Sequence, residues 1–213
     1  MTRAFTVVAI ITLSKTACAE EATAAQRIRV AIYSGEGVTR GDAEQVKSCL
    51  PASKGFEVTL ITAKEIDDGS LGKYDVLIHP GGSASGQAQA LGEEGRDRVR
   101  RFVRRGCGYV GICAGAYLAS VEYPWALRLM DARVIDDEHW ARGVGKVTLH
   151  LPNAGQAALG TDAAFTEMHY ENGPLLGPAK QQDIPDFEPL ATFETEIRMN
   201  DAPKGVMQGT TAI

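Results

Sequence analysis

The sequence lacks any apolar run approaching the ~20 residues that carry a helix across a bilayer. Its one early candidate, residues 5–13, is about half that length, so no membrane span is expected. Basic charge is in short supply too. Lys and Arg number 22 against 27 Asp and Glu, for a net charge of -5 and a pI near 5.4. Such a balance gives no electrostatic footprint for nucleic acid. Internal repeats and low-complexity segments are missing, which excludes solenoids and biased linkers. No set of His, Cys, Asp and Glu has metal-ligand spacing, so neither a metal nor another cofactor is expected. Cysteine is scarce, with four residues, and histidine equally so, with His79, His139, His150 and His169.

What remains is ordinary for a soluble globular protein: 213 residues, 44% apolar and 23% charged. That length suits one domain with a sizeable core. Residues 1–19 read as a signal peptide. Arg3 is the positive start, residues 5–13 the apolar core, and Ala17-Cys18-Ala19 the small-x-small cleavage pattern. The expectation is an exported protein, periplasmic or secreted, rather than a chain that opens on a buried strand. Cys18 raises a lipoprotein alternative, but Lys15 stands where a lipobox wants an aliphatic residue. Losing the leader leaves Cys49, Cys107 and Cys113, an odd number, so at least one thiol stays free or pairs between chains. Residues 20–26 read as a short disordered start, and residues 27–213 as one domain.

Along that domain, residues 27–33 form a first expected strand and residues 41–50 a helix closed by Pro51. Strands follow at 56–61 and 74–79, the second ending abruptly at Pro80-Gly81-Gly82. A helix over about 87–105 is weakened in its first half by Gly92 and Gly95. Leu91, Val99, Phe102 and Val103 share one face of it, and arginines fill the other, which reads as a solvated face. A strand at 107–112 and a helix at 114–121 complete a β-α-β-β-α-β-α order. Apolar strands alternating with amphipathic helices predict a mostly parallel α/β sheet covered on both faces. After Pro124, residues 144–151, 165–170, 190–197 and 206–213 alternate like strands and read as antiparallel additions at the sheet's edge. The last of these has the chain ending inside a strand, which suggests a truncated domain. Trp125 and Trp140 read as core or edge packing.

Chemistry concentrates at Gly111-Ile112-Cys113-Ala114-Gly115. A strand runs into Gly-x-Cys-x-Gly and then a helix, the nucleophile-elbow pattern with a thiol in place of serine. The turn is tight enough that a side chain two residues either way would clash, and strained backbone at Cys113 would expose its sulfur. At a helix N-terminus the thiol is expected below its free pKa of about 8.5. Cys107, at the strand's start, reads as structural. In His79-Pro80-Gly81-Gly82-Ser83, the N–H of Gly81 or Gly82 could join that of Ala114 as an oxyanion hole. Glu36, in the loop after the first strand, sits where it could reach the sulfur from the strands' carboxyl edge. His79 reads as a wall residue.

Asp75-Val76-Leu77-Ile78-His79-Pro80-Gly81-Gly82 followed by a helix and Gly108-Tyr109-Val110-Gly111-Ile112-Cys113-Ala114-Gly115-Ala116-Tyr117 resembles the class I glutamine amidotransferase-like superfamily. It is most similar to the branch named for the N-terminal domain of biotin–protein ligases, which also occurs as exported stand-alone proteins. His169-Tyr170-Glu171-Asn172-Gly173-Pro174 is similar to that branch's Tyr-x-Asn-Gly-Pro segment. The resemblance spans residues 27–213 and implies a flavodoxin-like three-layer sandwich and a Cys-His-Glu triad, with Asn172 beside the substrate. It does not extend to a ligase catalytic domain, so biotin ligation is not implied. The family's His-Pro-Glu, however, is missing. A thiol nucleophile needs a base oriented by a third group. Either that pair would follow Ile213, or His169 and Glu171, on one face of a strand, serve instead. The expected activity is a thiol-dependent amidase or hydrolase acting on a small amide or peptide-like substrate. The alternative is a binding module that keeps the elbow as architecture.

Overall fold

The computed structural model describes residues 8–10 and 27–213. Residues 20–26 and the rest of the expected leader lie outside the described residues. The central sheet has five strands, β1 (Val8–Ile10), β2 (Ile28–Tyr33), β3 (Phe56–Ile61), β4 (Val76–His79) and β5 (Gly108–Gly111), in the order β1-β5-β4-β2-β3. β2 to β5 are parallel, and β1 joins the outer edge of β5 antiparallel, Ala9 opposite Val110. Part of the segment read as a leader is thus strand.

Period-two alternation divides each parallel strand between two cores. Ala31, Tyr33, Leu77 and Tyr109 face one side. There they pack with Ile66 of α2 (Ala63–Asp67), Leu91, Val99 and Phe102 of α3 (Ala84–Arg104), and Leu118 of α4 (Ala114–Ala119). Val30, Ile32 and Ile78 face the other, against Ala43 and Val46 of α1 (Asp42–Ser48). Both faces of the sheet are buried, giving the three-layer α/β sandwich that the apolar strands predicted. At the amino edge, Arg29 of β2 forks onto Asp75 at the foot of β4, with Nη2 2.7 Å from Oδ1.

α3 starts earlier than expected because Ser83 caps it, its hydroxyl accepting the Gly86 N–H at 3.1 Å. At Gly92 (φ 61, ψ -175) its helical geometry breaks, a conformation open only to glycine.

The later strands do not extend the parallel sheet, which corrects the expectation of edge additions. β7 (Val144–His150), β8 (Phe165–Glu171) and β10 (Thr192–Phe193) form a three-stranded antiparallel sheet, and β6 (Ala132–Ile135) pairs with β9 (Leu175–Pro178). A separate core of Val147, Leu149, Tyr170, Leu175, Phe193 and Met207 holds the three-stranded sheet together, while Ala132 and Val134 of β6 and Leu176 of β9 pack into the core of the sandwich. The strand expected over residues 190–197 shrinks to Thr192–Phe193, and none forms over 206–213. In that last stretch Gly205 and Gly209 take positive φ, and only Thr211 bridges, to Leu176 and Thr192. A further helix, α5 (Asn153–Leu159), follows β7. Trp125 stacks on Tyr123 with ring centroids 4.5 Å apart, but Trp140 is 57% exposed and packs in no core.

Candidate active site

The site lies at the carboxyl ends of the parallel strands, where their loops converge. β5 ends at Gly111, and the chain reverses through Cys113 into α4. Both flanking glycines are sterically required. A Cβ on Gly111 would come within 2.5 Å of the Gly115 carbonyl, and one on Gly115 would run into the carbonyl oxygen of His79. Cys113 pays for the tight turn with φ 51 and ψ -102, a conformation that costs of order 1–3 kcal/mol. This is the strained elbow the motif predicts.

The next wall is the turn after β4. The loop after β2 zips onto it: Ser83 N–H donates to Gly37 O at 2.7 Å, and Thr39 N–H to Gly81 O at 3.2 Å. Gly82 has φ 131, and a Cβ there would collide with Gly37 O. Held in this way, the Gly82 N–H joins the Ala114 N–H as a hydrogen-bond donor to the Cys113 sulfur. Of the two glycines considered from sequence, it is Gly82 whose N–H acts on the sulfur. Gly81 instead gives close passage: its missing Cβ would sit 2.9 Å from Asp42 Oδ2 and 3.8 Å from Cys113 Cβ.

The third wall comes from the antiparallel layer. The end of β8 reaches over the elbow, and the Cys113 thiol points at the Glu171 carbonyl oxygen, 3.7 Å away. Tyr117, one helical turn after the cysteine, donates to Asn172 O at 3.4 Å. Tyr170 donates to Gly173 O at 2.7 Å. Asn172, at φ 50, accepts the Gly143 N–H on its Oδ1 at 2.9 Å and so fixes the β7–β8 junction. His169 lies two residues before Glu171 on the same strand face, partly buried and opposite Lys146.

The electrostatics correct the expectation of an acidic thiol. Burial pushes Cys113 up to about 11, against the pull of the Ala114 and Gly82 N–H groups. The carboxylates of Glu171 and Asp42 push it further in the same direction. α4 is only six residues long, so its dipole is too weak to reverse this. Glu36 is not the acid felt by the sulfur. It is exposed, its backbone carbonyl accepts the Tyr33 hydroxyl at 3.0 Å, and Asp42, six residues on, takes the place expected for it. Sequence reasoning missed Asp42, whose signal was its position as first residue of a helix that follows the β2 loop. It also missed Tyr117, detectable as the residue four after Cys113.

The other three histidines are engaged elsewhere. His79 is fully buried between the rings of Tyr33 and Tyr109, at 4.8 and 5.6 Å, and its Nδ1 bonds Gln87 Oε1 at 2.8 Å. Burial lowers its pKa to about 4. His139 pairs with Asp136 at 2.5 Å, and His150 packs on Phe165. Among the described residues, Cys49, Cys107 and Cys113 are all free thiols, and no group of His, Cys, Asp and Glu is arranged to hold a metal ion. No helix among them is long and apolar enough to cross a membrane.

A mostly parallel sheet with a cysteine elbow facing a Gly-Gly turn defines the glutamine-amidotransferase-like class. Within it, residues 28–139 match the family described as biotin-protein ligase, N terminal, and the chain belongs to that family. A biotin–protein ligase of Schizosaccharomyces pombe is 29% identical over 115 residues, which cover 51% of this chain and 18% of the ligase. The chain therefore matches less than a fifth of that relative's length. Among solved structures, a putative ThuA-like protein from Bacteroides uniformis superposes with a TM-score of 0.54 at 16% identity, over 83% of this chain and 72% of its own. The protein SMU.1228c gives 0.50 at 17% identity, over 86% and 76%. At such identities the likeness speaks for the fold.

Proposed function

We propose that this is a thiol-dependent amidase or hydrolase for small amide or peptide-like substrates, with Cys113 as nucleophile. The observation that carries the reading is the pair of N–H groups, from Ala114 and Gly82, converging on the sulfur of a residue held in strained backbone geometry. Donors fixed before the reaction stabilise charge as it develops, without reorganisation.

In this mechanism the Cys113 proton passes to His169, oriented by Glu171, while the sulfur attacks the amide carbon. The carbonyl oxygen becomes an oxyanion and takes the two N–H bonds. The C–N bond then breaks, and the proton leaves with the amine. Water, deprotonated by the same base, hydrolyses the thioester to a carboxylic acid and restores the thiol. What supports this assignment is placement: His169 and Glu171 share a face at the end of β8, where the Glu171 main-chain carbonyl lies 3.7 Å from the sulfur and its carboxylate acts on the thiol.

Turnover of a panel of short peptide amides should be measurable with the wild-type chain and lost in Cys113→Ala. Turnover that survives Cys113→Ala would overturn the reading. The leader motif supports export, which predicts that protein recovered from the periplasm begins at Glu20. The raised thiol favours a second reading, a small-molecule binding module that keeps the elbow as architecture. Ligand binding without any acyl intermediate would select it.

A further inference from the structure

The arginines of α3 do not form one solvated face. Arg96 and Arg100 are neutralised within the helix by Glu93 and Asp97, and Arg100 also donates to Leu127 O at 3.2 Å. Arg98, Arg101 and Arg105 lie at i, i+3 and i+7 and so share a different face. They line an open cavity of about 140 Å³ together with Ile66, Gly69, Leu71 and Gly72. None of the three makes an ion pair among the described residues. The Nε of Arg98 is shielded from solvent and has no acceptor. Compensation of the helix dipole accounts for a cation in the last turn such as Arg101. It does not account for a sheltered, unanswered donor a turn earlier. Of the two acids ahead of the cavity's glycines, Asp68 is turned to Ser70, accepting its N–H at 3.0 Å and its hydroxyl at 2.6 Å, and the Asp67 carboxylate lies against Gly95 of α3 without an ion pair to these arginines.

We infer that this cavity is an anion site that takes a phosphate group. Guanidinium forks match the spacing of phosphate oxygens. At ~30 Å³ per water, the space holds one tetrahedral anion and a few waters. Exposed glycine backbone at residues 69 and 72 lets an anion approach closely. The residues 69–73 lead into the start of β4, and the end of α3 leads into the start of β5. The cavity therefore lies at the amino edge of the sheet, at the opposite end from Cys113, and is independent of the proposed hydrolase chemistry.

The test is calorimetric titration of the full chain with inorganic phosphate at low ionic strength, alongside sedimentation with phosphatidic acid vesicles and with phosphatidylcholine vesicles. Arg101→Gln and Arg105→Gln alter exposed side chains and leave the fold intact, and each should weaken binding about tenfold or more. Arg104→Gln removes the same charge outside the cavity and should change affinity less than about twofold. Phosphate binding alone supports a soluble phosphorylated ligand, and vesicle binding alone a lipid headgroup. Binding to neither overturns the inference, as does an Arg104→Gln effect equal to the other two.

Discussion

At the residue scale, Cys113 is governed by a competition that its neighbours in sequence do not reveal. Two N–H groups favour the thiolate, but burial outweighs them and sets the thiol at about 11. Alkylation by iodoacetamide, followed at the Cys113 peptide, should therefore rise about tenfold per pH unit through neutrality and level off near pH 11. A midpoint below 8.5 would show that the N–H groups win. The elbow's backbone was legible from Gly111 and Gly115, because both clashes are local. The thiol's environment was not, because the wall over it belongs to Glu171, 58 residues away. His79 carries a second prediction. The native state holds it neutral down to about 4, whereas the unfolded value is 6.5. As pH falls below that value, the unfolded chain binds a proton that the native one refuses. Stability should thus decline from pH 6.5 toward pH 4 by up to about 3 kcal/mol. Urea melts of His79→Phe should lose that slope.

At the element scale, the parts read correctly are those whose signals are local: apolar strands β2 to β5, helices α1, α3 and α4, and a weak point at Gly92, whereas α2, between β3 and β4, was not expected. α5 and β9 were missed for a physical reason. α5 contains Gly155, whose Cβ would strike Leu190 O. Tertiary packing there requires the residue that weakens the helical signal. β9 includes Gly177 and Pro178 next to Asn172-Gly173-Pro174, which reads as turn until β6 pairs with it. The same packing logic gives a prediction for the elbow. Gly115→Ala gains helix propensity of up to about 1 kcal/mol, but places a methyl group on the His79 carbonyl. It should lower the urea midpoint, with a net loss of about 1–3 kcal/mol. The Arg29–Asp75 pair, with both side chains about two-fifths exposed, is a milder case. Loss of its charge in Asp75→Asn should cost about 1 kcal/mol or less.

At the scale of the whole molecule, the site is shared between two layers. The parallel sandwich, most of it within the family match over residues 28–139, supplies Cys113, the Ala114 and Gly82 N–H groups and Asp42. The antiparallel strands from β7 onward supply the Glu171 carbonyl and the hydrogen-bonded tyrosine Tyr170, and carry His169, the proposed base. The residues of this layer that close the site follow the family match, so the base assignment rests on the layer that the sequence placed least well. The central claim is that Cys113 attacks a carbonyl under the Ala114 and Gly82 N–H groups. Its most direct test is the intact mass of the protein after brief exposure to p-nitrophenyl acetate at pH 8 to 10, with the modified site mapped by peptide mass. The account predicts one acetyl group, on Cys113, that water removes within the experiment and that Cys113→Ala never acquires. Acetylation confined to exposed Cys49 and lysines, with Cys113 unmodified throughout, would contradict it.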